Sequence, residues 1–267
     1  MVVAHVSVQP LSLQVGAFLT RSSARQANGN LFPGMTPIAQ TGTVRTLPDF
    51  IATPMPIANQ KVRWTLDPRR TALVVVDMQR VFCEPDGALY VPSTVDIIPP
   101  INALTRSFRA AQMPVIYLRH VVRGDGSDTG RMRDLYPNVD EILARDAPGI
   151  EIIDALAPQR GDIVVDKLFY SGFHNTDLDT ILRARDIDTI VVCGTVTNVC
   201  CETTVRDAVH REYKVVVLAD ANAAMPYPDM GFGAVSAQDV QRIALTAMAY
   251  EFAEVSDSTD VLARLNA

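Results

Sequence analysis

Three side chains capable of nucleophilic catalysis stand just beyond separate apolar runs of the sequence. They are Asp77, Lys167 and Cys200. A carboxylate, an ammonium and a thiol together provide a proton carrier, a cation and a nucleophile. If the apolar runs are parallel strands of one sheet, their carboxyl ends lie along one edge, where α/β proteins bind ligands. The placement therefore predicts that these three side chains form one catalytic site.

Each of the three residues also has an ordinary structural explanation. Asp77 could cap a turn, and Lys167 could be a solvated surface residue. A lone cysteine such as Cys200 is commonly a small buried apolar residue. Only the joint placement of the three at one sheet edge favours the functional interpretation.

The residues around Cys200 predict which of two adjacent cysteines is free to react. Thr197 or Asn198 is a suitable N-cap for the helix that follows, so Cys200 would lie in its first turn. There the backbone N–H groups and the helix dipole favour a thiolate, and we expect them, with Lys167, to lower the pKa of Cys200. Cys201 instead shares an apolar helix face with residues four, seven and eight positions later, which predicts a structural role.

The apolar runs that precede these residues predict the elements that position them. They lack polar alternation, which is typical of strands buried on both faces of a parallel sheet. The runs are Leu73–Val76, Val115–Leu118, Ile163–Val165, Thr189–Val192 and Val215–Leu218, with Phe252–Val255 as a weaker sixth. Helical patterns separate them, so the sequence predicts an α/β sandwich with right-handed crossovers.

Two of the connecting segments carry specific expectations. Pro99 and Pro100 are suited to the first turn of a helix, which is predicted to run from there to about Gln112. The segment 121–148 is polar and irregular and is predicted to be a long loop with a short helix. Long loops near strand ends commonly shape a substrate pocket.

Composition excludes several classes of protein. Of the 267 residues, 48% are hydrophobic and 20% are charged, with a net charge of −6, which argues against a mostly disordered chain. The sequence has no basic stripe, so we expect no nucleic-acid partner, and no apolar run reaches the roughly 18 residues that span a bilayer. Four cysteines in a chain of this length do not make a disulfide scaffold, which favours a cytoplasmic location.

The amino-terminal stretch differs from the rest of the chain. From Met1 to Pro48 it has no Asp, Glu or Lys. We therefore expect residues 1–65 to form an arm or extension and residues 66–267 to form the catalytic domain. An arm that wraps a neighbouring subunit would fit a homo-oligomer, whereas an acid-poor, arginine-bearing leader would fit organellar targeting.

Three motifs carry a resemblance to a known family. They lie at Val75–Gln79, Asp166–Phe173 and Gly194–Asp207. In this order they resemble the motifs of the isochorismatase-like cysteine hydrolases. The resemblance covers about Thr71–Leu265. The resemblance implies a three-layer αβα sandwich around a six-stranded, mainly parallel sheet.

The resemblance also implies the roles of individual residues. It implies an Asp77–Lys167–Cys200 triad and a non-proline cis peptide at Thr195–Val196. It further implies that the backbone N–H groups of Val196 and Cys200 form an oxyanion hole. Nicotinamidase-like relatives bind a metal with an Asp and neighbouring histidines after the second strand, where this chain has only His120, so we expect neither a metal nor another cofactor.

The substrate is predicted to be a small amide, ureido or N-carbamoyl compound, hydrolysed by water at its C–N bond through a thioester. The segment Tyr170–Thr176 is similar to that of ureidoacrylate and related carbamoyl amidohydrolases. Candidates to hydrogen-bond the substrate are His120, Tyr170 and His174, each of which could equally be a structural loop residue. Candidates to meet a substrate carboxylate, or else to be solvated, are Arg119, Arg131 and Arg133.

Three alternatives remain on the sequence alone. The chain could hydrolyse isochorismate or another small molecule, although the relatives that cleave that vinyl ether are expected to lack a cysteine at the nucleophile position. It could be a non-catalytic member of the family that keeps only the fold. It could be a redox sensor that uses Cys200 and Cys201, although a disulfide between helix neighbours would be strained.

Overall fold

The computed structural model describes residues 61–265. Its centre is a six-stranded sheet in the order β3-β2-β1-β4-β5-β6, and every neighbouring pair is parallel. The strands are β1 (Thr71–Val76), β2 (Val115–His120), β3 (Ile163–Lys167), β4 (Thr189–Thr195), β5 (Lys214–Ala223) and β6 (Glu254–Ser256). Each run predicted as a strand overlaps one of them.

Helices connect the strands in the described part of the chain. They are α1 (Arg80–Cys83), α2 (Thr94–Ala110), α3 (Met132–Leu135), α4 (Val139–Ile142), α5 (Leu178–Arg183), α6 (Glu202–Val209), α7 (Ala237–Glu251) and α8 (Ser258–Leu265). A short 3₁₀ helix spans Asp154–Leu156, and a π-helical turn spans Thr197–Cys201. None of the helices in residues 61–265 combines the length and hydropathy needed to cross a membrane.

The two faces of the sheet explain why its central strands are apolar throughout. Along β1, Val74 and Val76 belong to one core cluster, and Leu73 and Val75 belong to the other. Helices α5, α6 and α7 contribute side chains to the first cluster, and α2 and α8 contribute to the second. The predicted three-layer αβα sandwich with a six-stranded parallel sheet is therefore confirmed.

Helix α2 begins earlier than predicted. It starts at Thr94, so that Pro99 and Pro100 lie inside it, and it ends at Ala110 rather than at about Gln112. The prolines remove the N–H groups that would donate to the carbonyls four residues earlier. Those carbonyls belong to Val95 and Asp96, which are exposed, so water can replace the missing donors.

The predicted amino-terminal arm falls mostly on residues 1–60, which lie outside the described residues. Its last part, however, contacts the domain. Arg63 forms an ion pair with Asp260 at 2.7 Å, and the Trp64 backbone N–H donates to Glu254 Oε2 at 2.6 Å. The folded unit therefore includes residues just before the predicted boundary at 65.

Close packing of β1 against β4 requires a glycine at the end of β4. Gly194 has φ +124°, and a Cβ there would lie 2.1 Å from the carbonyl oxygen of Val76. Any other residue would push the ends of the two strands apart. These are the strand ends that carry Asp77 and the turn toward Cys200.

Candidate active site

The site lies where the strand order reverses. From β1 the chain proceeds to β2 and β3 on one side of the sheet and then to β4, β5 and β6 on the other. The carboxyl ends of β1 and β4 therefore border the crevice in which doubly wound sheets bind ligands. Asp77 directly follows β1 and has φ 49°, a left-handed conformation that aspartate tolerates better than most residues.

The three predicted catalytic side chains meet at this crevice. Lys167 Nζ lies 2.8 Å from Asp77 Oδ2 and 3.4 Å from Cys200 Sγ. It also donates a hydrogen bond to the carbonyl oxygen of Phe169 at 3.0 Å. Asp77 and Lys167 are 1% and 0% exposed, so their charges interact with little solvent screening. The ammonium contacts both the carboxylate and the thiol, and ligand atoms of Asp77 and Cys200 lie within 4.8 Å of each other.

The carboxylate of Asp77 retains capacity to accept a proton. Its Oδ2 is ion-paired with Lys167 at 2.8 Å, and hydrogen bonds from Cys200 and Lys167 only partly offset the effect of burial on its pKa. Burial raises the pKa of Asp77, against the opposing charge of Lys167. A buried carboxyl group with a raised pKa is a suitable proton carrier near neutral pH.

The pKa of the Cys200 thiol is raised, contrary to the expectation that it would be lowered. Burial raises its pKa, the charge of Asp77 raises it further, and Lys167 opposes both effects. Burial also disfavours the ammonium of Lys167, but the charge of Asp77 and the hydrogen bonds to Asp77 and Cys200 outweigh it and raise its pKa. The expectation was wrong because it considered Lys167 and the helix start without the loss of water around the sulfur.

The turn that carries Cys200 also differs from the prediction. Thr197 and Asn198 are not N-caps, because the helical segment begins one residue earlier as a π-helical turn with Val196 at its start. The carbonyl oxygen of Val196 accepts hydrogen bonds from the N–H groups of Val199 at 3.0 Å and Cys201 at 3.2 Å. Cys200 still lies in the first turn of the segment.

The structure separates the two adjacent cysteines as predicted. Cys200 lines a cavity at the crevice, whereas Cys201 is fully buried and packs with Val205 and Ala208 in the core. Preceding the turn, the Thr195–Val196 peptide is cis. Val196 lines the same cavity as Cys200, and an oxyanion hole formed by their N–H groups remains a prediction.

The cavity beside Cys200 has a volume of about 100 Å³. Six of its apolar wall residues are Phe82, Leu89, Met132, Leu143, Val199 and Met225. Sequence analysis missed these wall residues. Only Met132 and Leu143 had a signal, as apolar positions in the polar segment 121–148, which forms α3 and α4 and packs in a small core cluster with α1.

Of the predicted substrate-binding residues, His120 and Tyr170 line the cavity. Their rings form an edge-to-face pair with centroids 6.2 Å apart. His174 is exposed and does not line the cavity; its ring packs against Phe169 with centroids 5.2 Å apart. The structure therefore gives no support to a substrate contact by His174.

His120 is held in a neutral form. Burial and then the charge of Lys167 hold its pKa well below the usual value. Its Nε2 lies 3.1 Å from the carbonyl oxygen of Leu168, which only accepts, so Nε2 carries the proton and Nδ1 is an acceptor. Its backbone N–H donates to Gln79 Oε1 at 2.7 Å, which makes the buried Gln79 a support of the site that sequence analysis did not identify.

Three side chains at the site could together supply ligand atoms to a metal ion. Atoms of Asp77, His120 and Cys200 all lie within 4.8 Å of one another. The ammonium of Lys167, however, already contacts two of these three groups, so a metal ion would have to share that position with a positive charge. Metal-free chemistry remains the prediction.

Replacing Asp77 with asparagine is expected to make the thiol of Cys200 easier to ionise. The carboxylate of Asp77 raises the pKa of the thiol, and asparagine removes that charge while keeping the shape. The pH at which iodoacetamide alkylates Cys200 at half its maximal rate should therefore fall, while amide hydrolysis is lost with the proton carrier. Mass spectrometry of the peptide containing Cys200 measures alkylation, and an unchanged or higher midpoint would contradict this electrostatic account.

Comparison with known proteins agrees with this geometry. A family model for the isochorismatase domain matches residues 71–260. The chain is 39% identical over 189 residues to the ureidoacrylate amidohydrolase RutB of Methylobacterium radiotolerans, which covers 64% of this chain and 70% of the relative. It is 36% identical over 218 residues to the ureidoacrylate amidohydrolase RutB of Methylorubrum extorquens, which covers 74% of this chain and 84% of the relative.

Two solved structures extend the comparison. A cysteine hydrolase from Pseudomonas syringae pv. phaseolicola superposes with a TM-score of 0.76 at 73% identity, covering 77% of this chain and 96% of the other. The N-carbamoylsarcosine amidase from Thermoplasma acidophilum superposes with a TM-score of 0.57 at 32% identity, covering 71% of this chain and 96% of the other.

Proposed function

Since this chain belongs to the isochorismatase family, we propose that it hydrolyses the C–N bond of a small amide, ureido or N-carbamoyl compound with Cys200 as nucleophile. Its relatives include amidohydrolases and a cysteine hydrolase, which supports a cysteine-dependent amidohydrolase. The observation that carries the assignment of residues is the buried Lys167 ammonium, 2.8 Å from Asp77 Oδ2 and 3.4 Å from Cys200 Sγ.

In the first step Asp77 accepts the proton of the Cys200 thiol. Since burial raises the pKa of that thiol, the thiolate forms only as it attacks, with Lys167 balancing its charge. A sulfur–carbon bond forms at the substrate carbonyl. The negative charge that develops on the carbonyl oxygen is stabilised by the backbone N–H groups of Val196 and Cys200, each of which contributes on the order of 3 kcal/mol to lowering the barrier.

In the second step the C–N bond breaks and the amine leaves with the proton carried by Asp77. Water then attacks the thioester, and Asp77 accepts a proton from it. The sulfur–carbon bond breaks, the acid product is released, and the thiol of Cys200 regains its proton. The lysine keeps its charge through the cycle, since nearby anions raise its pKa.

Two further features belong to this proposal. We propose a homo-oligomer, and we propose that the neighbouring exposed side chains of Met230 and Phe232 lie in its interface, since contiguous exposed apolar surface commonly marks such sites. We also propose a cytoplasmic location. The cysteines Cys83, Cys193, Cys200 and Cys201 are all free thiols, which suits a reducing compartment.

Interception of the thioester by hydroxylamine tests the proposal. Incubated with a panel of primary amides, ureido compounds and N-carbamoyl compounds, the enzyme should release ammonia or amine. Added neutral hydroxylamine should divert the acyl group to a hydroxamate, or to N-hydroxyurea from a carbamoyl group, in proportion to its concentration. Ammonia release without any diverted product would indicate direct attack by water and would contradict the covalent role of Cys200.

A further inference from the structure

The cavity that receives the substrate is apolar wherever the described residues form its wall. Aliphatic, aromatic and thioether side chains such as Phe82, Leu143 and Met225 make up most of it. Its titratable members are His120, Tyr136, Tyr170 and Cys200, and no described Asp, Glu, Lys or Arg lines it. The buried Lys167 lies behind Cys200 and is committed to Asp77, Cys200 and the Phe169 carbonyl.

The arginines that were candidates to meet a substrate carboxylate are all engaged elsewhere. Arg119 forms ion pairs with Asp166 at 2.9 Å and Glu151 at 3.1 Å. Arg131 pairs with Asp134 at 2.9 Å, and Arg133 pairs with Asp140 at 2.5 Å. None of the three lines the cavity.

The remaining titratable wall groups do not supply a positive charge. His120 is neutral, since burial and Lys167 hold its pKa well below the usual value. Burial raises the pKa of Tyr170, so its hydroxyl stays protonated. A carboxylate in this cavity would therefore lose its water without gaining an ion pair, which is strongly unfavourable.

The volume limits the size of the group that fits. A cavity of about 150 Å³ lined by apolar side chains can hold benzene. The volume of about 100 Å³ beside Cys200 therefore accommodates an apolar group of about four carbon atoms. A branched chain of about four or five carbon atoms attached to the reacting amide or urea would fill it.

We propose that the substrate of this site is an uncharged amide or urea whose non-reacting part is a small branched aliphatic group, and that the site discriminates against substrates with a carboxylate there. This inference rests on the proposed amidohydrolase function. It departs from the ureidoacrylate named for the relatives in Methylobacterium and Methylorubrum, because that molecule bears a carboxylate.

Pairs of substrates that differ only in charge test the inference. 4-Methylpentanamide and succinamate share one shape, with an isopropyl group in the first where the second has a carboxylate. 3-Methylbutylurea and N-carbamoyl-β-alanine form the same pair among ureas. Ammonia release should give a kcat/KM at least about 100-fold higher for the uncharged member of the preferred pair. A preference for the charged member would overturn the inference.

A charge introduced at the mouth of the cavity gives a second test, and the same charge introduced just outside the cavity is its matched control. Tyr136 lines the cavity and is 49% exposed, and its neighbour Leu135 is 74% exposed and does not line it. Tyr136→Arg should lower the ratio of kcat/KM for the uncharged substrate to kcat/KM for the charged substrate by about 10-fold, equivalent to about 1.4 kcal/mol. Leu135→Arg should change this ratio by less than about 2-fold. Equal effects of the two variants would contradict entry of the substrate through this cavity.

Failure of the inference is distinguishable from failure of the proposed function. A preference for the carboxylate substrates, with capture of a hydroxylamine product, would leave the proposed function intact and remove only the proposed substrate class. Absence of ammonia and of diverted product from every compound, the uncharged members of the two pairs included, would count against the inference and against the proposed function. Preferential hydrolysis of the uncharged substrates without diverted product would support the proposed substrate class and contradict the thioester intermediate.

Discussion

Replacing Cys200 with alanine is expected to lower kcat by about 10⁴-fold or more, because the variant has no atom that can form the thioester. The fold should persist, since the change removes one sulfur atom from a turn held by the backbone bonds to Val196. The measurement is ammonia release from the best amide of the substrate panel, with circular dichroism to establish folding.

The neighbouring cysteine is the matched control for that experiment. Cys201 is fully buried in the core, so Cys201→Ala should cost about 1–2 kcal/mol of unfolding free energy while keeping kcat within about threefold. Full activity of Cys200→Ala would remove the nucleophile from the proposal. A comparable loss in Cys201→Ala would mean that packing of the turn, rather than the Cys200 sulfur, limits the rate.

Replacing Lys167 with methionine is expected to lower the free energy of unfolding by about 3–5 kcal/mol, because it leaves the charge of Asp77 buried without a partner. Lys167 and Asp77 are 0% and 1% exposed, so solvent does not screen the loss. The rate of amide hydrolysis should fall as well, since the variant lacks the positive charge that balances the thiolate. Urea denaturation measures the stability.

The pH dependence of that loss follows from the direction of the Asp77 shift. Burial raises the pKa of Asp77 in the folded protein above the value of 3.8 for an unfolded aspartate, and removing Lys167 raises it further. Such a group contributes stability at pH below the unfolded value, and this contribution is lost as pH rises through the folded pKa. The destabilisation by Lys167→Met should therefore be larger at pH 8 than at pH 5.

A double variant separates the electrostatic contribution from catalysis. Combining Lys167→Met with Asp77→Asn removes both charges, so most of the lost stability at pH 8 should return. Activity should stay absent, because neither a proton carrier nor a cation remains. Equal instability of the single and double variants would indicate that the lysine stem, rather than its charge, supports the fold.

Much of the architecture could be predicted from local patterns. The runs Leu73–Val76 and Ile190–Val192 are apolar at every position because helices cover both faces of the sheet, and this signal does not depend on distant residues. The start of α2 was predicted less well. Pro99 and Pro100 favour a first turn, but the exposed carbonyls before them allow the helix to begin at Thr94.

The residues of the site were predictable to different degrees. Asp77 and Lys167 stand at strand ends, and a parallel sheet brings such ends to one edge, so their meeting follows from chain order. Tyr170 and His174 lie four positions apart in one loop, yet only Tyr170 lines the cavity. The direction of a loop side chain depends on its packing partners, which local sequence does not encode.

The sequence by itself determined the chemical groups of this protein and the edge of the sheet at which they gather, because residue identity and strand order are properties of the chain alone. Only the tertiary structure decided the direction in which the pKa of the Cys200 thiol is shifted and the apolar character of the cavity. Both depend on how much water is removed by segments distant in sequence, such as α3, α4 and the β3 end. Desolvation is a collective property of the folded molecule, and it reversed the expected direction of the thiol pKa.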